Sequence, residues 1–200
     1  MTSRADRLSS GTLLQVAAAD VSPAIRVAAV LFVTVLTAVA AQVSIPLPFT
    51  PVPFTMQPMI VLLGGAALGS RLGFTSQLLY LAAGIAGLPV FAASPALPQG
   101  VARLLGPTGG YLMSYPLAAF VAGSLAERGF DRRYLTAVLA MAAGLAVVFA
   151  FGVAWMAWGA PSVGLAPSLR AGLYPFLPAD LIKVFVAATV LPVAWRALRT

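Results

Sequence analysis

A chain with five carboxylates, one lysine and neither cysteine nor histidine has few side chains able to do chemistry. Two of them, Asp180 and Lys183, stand three residues apart just inside an apolar stretch that runs on to Leu198. On a helix that spacing puts both on one face, about 4.5 Å apart along the axis. A charge within a membrane span costs roughly 2.5–3.5 kcal/mol on insertion scales, so such residues face a cavity or a partner. Two readings follow. The pair neutralises itself at a helix end, where the dipole favours Asp180 in the first turn; or it lines a site for a polar solute, the default meaning of ionisable groups inside a membrane. The second is preferred.

Much other chemistry is excluded. With no Cys and no His there are no disulfides, no thiolate or imidazole metal ligands and no Ser-His-Asp triad. A phosphate-binding P-loop needs Gly-Lys-Ser/Thr, and the one lysine follows Ile182, so ATP hydrolysis by that route is excluded. A membrane-embedded hydrolase built on Asp180 is the rival from a different class. It lacks a second carboxylate within a span, because Asp20, Glu127 and Asp131 fall outside the lipid or at the opposite side. No catalytic residue, cofactor or metal is assigned. The net charge of +7 raises nucleic acid as a partner. The arginines, however, sit in short clusters between apolar runs, which is the pattern of membrane topology and not of a phosphate-binding face.

The elements that must position the pair are read from hydropathy. Sixty per cent of the residues are hydrophobic and the mean hydropathy is +0.97, so lipid is the solvent for most of the chain. The fold class predicted is an all-α integral membrane protein. Residues 1–24 read as a cytoplasmic tail carrying an amphipathic helix. Residues 25–200 read as one domain with six transmembrane helices, over 25–42, 58–69, 72–91, 106–126, 134–158 and 175–198. Trp155 and Trp158 are read as interface anchors of the fifth. Gly65, Gly69 and Gly73, four apart, predict close helix packing. The loops run over 43–58, 92–107 and 159–172. The first holds five prolines within 45–58 and no charge, so it cannot be a regular helix and is too apolar to hang in water. It is expected to fold over the protein as a lid or to rest among headgroups.

Six spans put both termini on one side. If that side is cytoplasmic, the inside segments hold Arg4, Arg7, Arg26, Arg71, Arg128, Arg132, Arg133, Arg196 and Arg199, and the outside loops hold Arg103 and Arg170. That asymmetry obeys the positive-inside rule. It gathers Asp180, Lys183, Arg103, the proline-rich loop and the Gly106–Tyr111 stretch at the outer face. Such a pocket suits a small amphipathic solute with one anionic and one hydrogen-bonding end. Lys183 or Arg103 takes the anion, Asp180 accepts from N–H groups, and Tyr80, Tyr111 and the lid phenylalanines cover the apolar middle. The paired Gly109 and Gly110 allow backbone to approach a ligand or another helix.

Four stretches then carry a family likeness, in order along the chain: Pro51-Val-Pro-Phe-Thr-Met-Gln57, Tyr80-Leu-Ala-Ala-Gly-Ile-Ala-Gly-Leu-Pro-Val-Phe91, Gly106-Pro-Thr-Gly-Gly-Tyr-Leu112 and Pro178-Ala-Asp-Leu-Ile-Lys183. Together, over about residues 25–198, they resemble the BioY family, the biotin-specific substrate-binding (S) components of energy-coupling-factor (ECF) vitamin importers. The resemblance implies a six-helix ECF S-component fold in the bacterial cytoplasmic membrane. It implies high-affinity binding of biotin from outside and its uptake with a membrane coupling (T) protein and two ABC ATPase subunits. Asp180 and Lys183 match the family's polar pair for biotin; Arg103, Gly109, Gly110, Tyr111, Gln57 and Tyr80 would line the pocket, and Pro51, Pro53, Phe54 and Thr55 would gate it. An Ala-x-x-x-Ala pattern that S components present to the coupling protein is matched by Ala24 and Ala28, at the very entrance of the first span. An S component for a different small vitamin is the nearest alternative, and a homo-oligomer is left open.

Overall fold

The computed structural model describes residues 11–18, 21–93 and 98–199. Of the expected tail, residues 1–10 and 19–20, including Arg4, Arg7 and Asp20, lie outside the described residues. The remainder holds a short helix, α1 (Leu13–Ala17), closed by a capping box in which Thr12 and Gln15 bond each other's main chain. Then come α2 (Pro23–Gln42), β1 (Ser44–Ile45), β2 (Phe54–Thr55), α3 (Gln57–Leu68), α4 (Ser70–Ile85), α5 (Val101–Leu105), α6 (Gly109–Glu127), α7 (Tyr134–Trp158), α8 (Leu165–Gly172) and α9 (Leu177–Arg199). The architecture is helical throughout apart from one two-residue antiparallel ladder, Ser44 to Thr55 and Ile45 to Phe54, among the described residues.

Three helices are long and apolar enough to cross a membrane by length and composition: Pro23–Gln42, Tyr134–Trp158 and Leu177–Leu198. Their outward faces carry large apolar side chains, among them Phe32, Leu139 and Val186, each about three-fifths exposed or more. Groups that apolar on three long helices need lipid and not water beside them.

Around α6 the packing is built from small residues. Ala118, Ala119, Ala122 and Ala126 are buried against α3, α4 and α7, and a Cβ on Gly65 would lie 2.4 Å from the Ala119 carbonyl oxygen. Without water to drive helices together, such close backbone approach supplies the dispersion contacts instead. The turn between α3 and α4 is one residue, Gly69, at φ 88°. Glu127 caps the start of α4, accepting from the Ser70 N–H at 2.8 Å and from its hydroxyl.

Two expected boundaries move. The third span was expected to run to Phe91, but α4 stops at Ile85 because Gly87 takes φ 94° and Pro89 cannot continue a helix. The chain doubles back and seats Phe91 over Gly84, where a Cβ would collide with the ring. The loop predicted over 159–172 contains α8, which begins after Gly164 with Pro167 in its first turn, where proline is tolerated. Trp155, read as an interface anchor, instead donates its indole N–H to the Gly106 carbonyl at 3.0 Å.

Candidate binding site

At the end of the bundle where α9 begins, Lys183 Nζ lies 2.6 Å from Asp180 Oδ1. It is the one ion pair among the described residues, and both side chains are buried. The ammonium has a second partner that spacing could not show. It donates to the main-chain oxygen of Thr55 at 2.6 Å and stands 3.6 Å from the centre of the Phe54 ring. A lysine has three N–H donors, and two are committed here.

Those contacts come from the proline-rich segment, which is neither helix nor free loop. The β1–β2 ladder folds it into a strap, and the strap is fixed again where the Thr50 hydroxyl donates to the Ala171 carbonyl at 2.7 Å. Beneath it lie two adjoining narrow cavities of about 40 and 50 Å³, room for a few water molecules while the strap is down. Val52, Pro53, Thr55, Tyr111 and Tyr115 line both. The first is completed by Gln57, Phe91, Arg103 and Thr108, the second by Phe149, Phe176, Asp180 and Lys183. Larger openings, each of about 470 Å³, lie at the other end, against α1.

Arg103 is the polar centre of the first cavity. It is buried, its guanidinium donates to the Ala92 carbonyl, and its Nε has no partner. Among the described residues no carboxylate neutralises it. Burial pulls its pKa down from the usual guanidinium value, with the Tyr80 hydroxyl pulling the other way, but arginine stays charged in proteins. The Thr108 hydroxyl is also buried without a partner. Since Asp180 and Lys183 cancel, the region carries a net positive charge and spare donors, a setting for an anionic group.

Tyr111 and Tyr115, one turn apart, form the wall between the cavities. The Tyr111 hydroxyl donates to the Gly172 carbonyl at 2.9 Å, and its ring fills the space a Cβ on Gly152 would need. Of the residues singled out from sequence, Asp180, Lys183, Arg103, Gln57, Tyr111, Pro53 and Thr55 meet at these cavities, and Phe54 seats on Lys183. Three do not. Tyr80 lies behind the wall, where Gln57 donates to its hydroxyl at 2.6 Å and the hydroxyl donates to the Val90 carbonyl. Gly109 and Gly110 line neither cavity; the Leu104 carbonyl and Trp155 occupy the space their side chains would need, so the pair serves packing. Pro51 is exposed on the strap's outer face. Val52 and Thr108 lie within the 51–57 and 106–112 stretches expected to gate and line the pocket, whereas Phe91, Tyr115, Phe149 and Phe176 were not anticipated. Only Tyr115 had a legible signal, its i+4 spacing from Tyr111.

A sequence model described as the BioY family matches residues 11–200. The "Probable biotin transporter BioY" of Pyrococcus horikoshii is 42% identical over 161 residues, covering 80% of this chain and 88% of that one. The "Biotin transporter BioY" of Thermotoga maritima is 40% identical over 157 residues, covering 78% and 88%. Among solved structures, the S-component for biotin from an ECF-type ABC transporter, a 2.1 Å crystal structure, superposes with a TM-score of 0.75 at 26% identity over 88% of this chain and 91% of that one.

Proposed function

This chain belongs to the BioY family, and from that premise we propose that it is the biotin-binding S component of an ECF-type importer. The observation that carries the reading is the pair of adjoining cavities in which buried Arg103 and the Asp180–Lys183 pair sit beneath a strap. Biotin offers a carboxylate, an apolar chain and bicycle, and a ureido group with N–H donors. The carboxylate goes to Arg103, whose Nε is free, because two of the Lys183 donors are already taken. The ureido N–H groups go to Asp180, which has carboxylate acceptor capacity beyond its bond from Lys183. Tyr111, Tyr115, Phe149 and Phe176 cover the middle.

In this reading α2, α3, α4, α6, α7 and α9 are six transmembrane helices of a bacterial cytoplasmic membrane protein, with both termini inside and the strap outside. The strap gates the site: lifting Thr55 and Phe54 off Lys183 opens the cavities. No P-loop is present to use ATP, so uptake is driven by a membrane coupling protein and two ABC ATPases. Ala24 and Ala28, exposed one turn apart on α2, are the proposed contact to the coupling protein.

Calorimetric titration of the purified protein with biotin, thiamine and riboflavin tests the reading. Saturable binding of biotin alone is expected. Binding of another vitamin with none of biotin overturns it, and accumulation of biotin in liposomes by this protein alone, without an ion gradient, overturns the need for partners.

A further inference from the structure

Two openings at the end remote from the strap serve no part of biotin binding, and they adjoin. One, of about 470 Å³, has Arg26 and Arg71 on its wall. The other, also of about 470 Å³, is a groove walled by apolar side chains of α1, α2, α3 and α9, Phe32, Ala67 and Ala194 among them. Leu14 and Leu68 line both, so the polar chamber opens into the groove.

Neither arginine is placed to stabilise its own helix. Arg26 and Arg71 both sit in the first turns of α2 and α4, where the helix dipole disfavours a cation. Among the described residues neither has a carboxylate within ion-pair distance. The chamber's own carboxylate, Glu127, is committed to the Ser70 N–H and hydroxyl. Among the described residues, two exposed guanidiniums therefore line the chamber without an ion-pair partner, a setting for a phosphate. The groove beside it begins at Ala29, one turn beyond Arg26, and follows α2 past Phe32 to Val33, toward mid-membrane depth.

An anionic head joined to a long apolar tail matches both parts. We propose that this end of the protein binds one anionic glycerophospholipid of the adjacent leaflet, its phosphate between Arg26 and Arg71 and one acyl chain in the groove under α1. Charge complementarity selects the headgroup, and basic pockets between membrane helices are known to act in this way. The site is independent of the biotin site, so either can fail alone.

Native mass spectrometry of the full chain in detergent, with equimolar phosphatidylglycerol and phosphatidylcholine of identical acyl chains, tests it. The first lipid bound is expected to favour phosphatidylglycerol by about tenfold or more. Arg26→Gln with Arg71→Gln should bring the ratio to within about twofold of unity, and Arg26→Lys with Arg71→Lys should keep most of it. Ala29→Trp, which fills the groove, should lower phosphatidylglycerol occupancy at least about fivefold. Should the double glutamine variant not stay monodisperse, Arg71→Gln alone is read, with about a threefold fall in the ratio expected. No preference in the native chain, a preference that survives the glutamine changes, occupancy unaltered by Ala29→Trp, or full displacement by glycerol phosphate each overturns the proposal.

Discussion

Lys183 donates to the main-chain oxygen of Thr55, 128 positions earlier in the chain, at 2.6 Å, and through that bond α9 holds the strap over the cavities. The same ammonium is the partner of Asp180. One side chain thus couples the site's polar floor to its cover. Any change at Lys183 acts on both, which is why its effects have to be read with two measurements.

Lys183→Met removes a charge-assisted bond, an ion pair and the contact with the Phe54 ring at once. Amide hydrogen exchange over residues 50–57 should rise well above that of the native protein, because local opening no longer breaks that bond. Biotin affinity should fall roughly ten- to a hundredfold, as hydrogen bonds to charged groups are worth about 1.5–3 kcal/mol. Asp180→Asn should weaken binding by a similar factor while leaving the exchange of residues 50–57 closer to native. The double change should bind no better than the worse single one; recovery of binding would mean the pair is a helix-end ion pair only.

Arg103→Met takes away the unneutralised cation of the first cavity. Biotin should lose about tenfold or more in affinity, since a bond to a charged group goes. Biotinamide, which lacks the carboxylate, should lose far less. Equal losses for both ligands would place the carboxylate elsewhere. Arg103→Lys should recover only part of the binding, because an ammonium cannot reproduce the guanidinium's hold on the Ala92 carbonyl together with its free Nε.

How much of this was legible depended on which forces decide each part. The span over 134–158 coincides with α7 because nothing but apolar length decides it. Asp180 and Lys183 were legible because a charge in lipid has few explanations. The strap was half legible: five prolines exclude a helix, but its hold on Lys183 is a contact made far along the chain. Gly109 and Gly110 misled, since a missing Cβ signals close approach without saying what approaches; here it is the Leu104 carbonyl and Trp155. The burial of Asp131 was not legible either. The residue stands in the charge-rich run 127–133, yet it is fully buried because Trp195, 64 positions on, donates to it at 2.5 Å.

Orientation is checked by labelling, for which a chain without cysteine is already suited. A cysteine at Ser162, exposed between α7 and α8, should react with an impermeant thiol reagent in intact cells. One at Phe130, between α6 and α7, should react only after the cells are opened. The opposite pattern would reverse the orientation and remove uptake as the direction of transport.

The pH dependence of stability is expected to carry a contribution from Asp131. Burial raises its carboxyl pKa above the usual value, and the Trp195 indole N–H and Arg132 offset part of that rise. A raised folded pKa means the folded protein keeps a proton that the unfolded chain releases. Stability from this group is therefore fully present below the ordinary carboxylate value and lost as pH rises through the folded one. Asp131→Asn keeps an acceptor for the indole and cannot ionise, so its melting temperature in detergent should equal or exceed the native value at pH 7 and show less decline between pH 4 and 7.

The last prediction concerns Tyr111 and Gly172. A Cβ on Gly172 would stand 2.1 Å from the Tyr111 hydroxyl, which now donates to the Gly172 carbonyl. Gly172→Ala must therefore push the ring, and Gly152 opposite leaves it no room except toward the cavities it lines. Biotin affinity should fall by about tenfold or more. Tyr111→Phe alone removes one neutral hydrogen bond, worth about 0.5–1.5 kcal/mol, and should cost binding less than about tenfold. In the double variant the obstructing hydroxyl is gone, the ring returns toward its place, and binding should recover to near the Tyr111→Phe level. Effects that simply multiply would show that the two residues act independently and that the tyrosine is not the wall between the cavities.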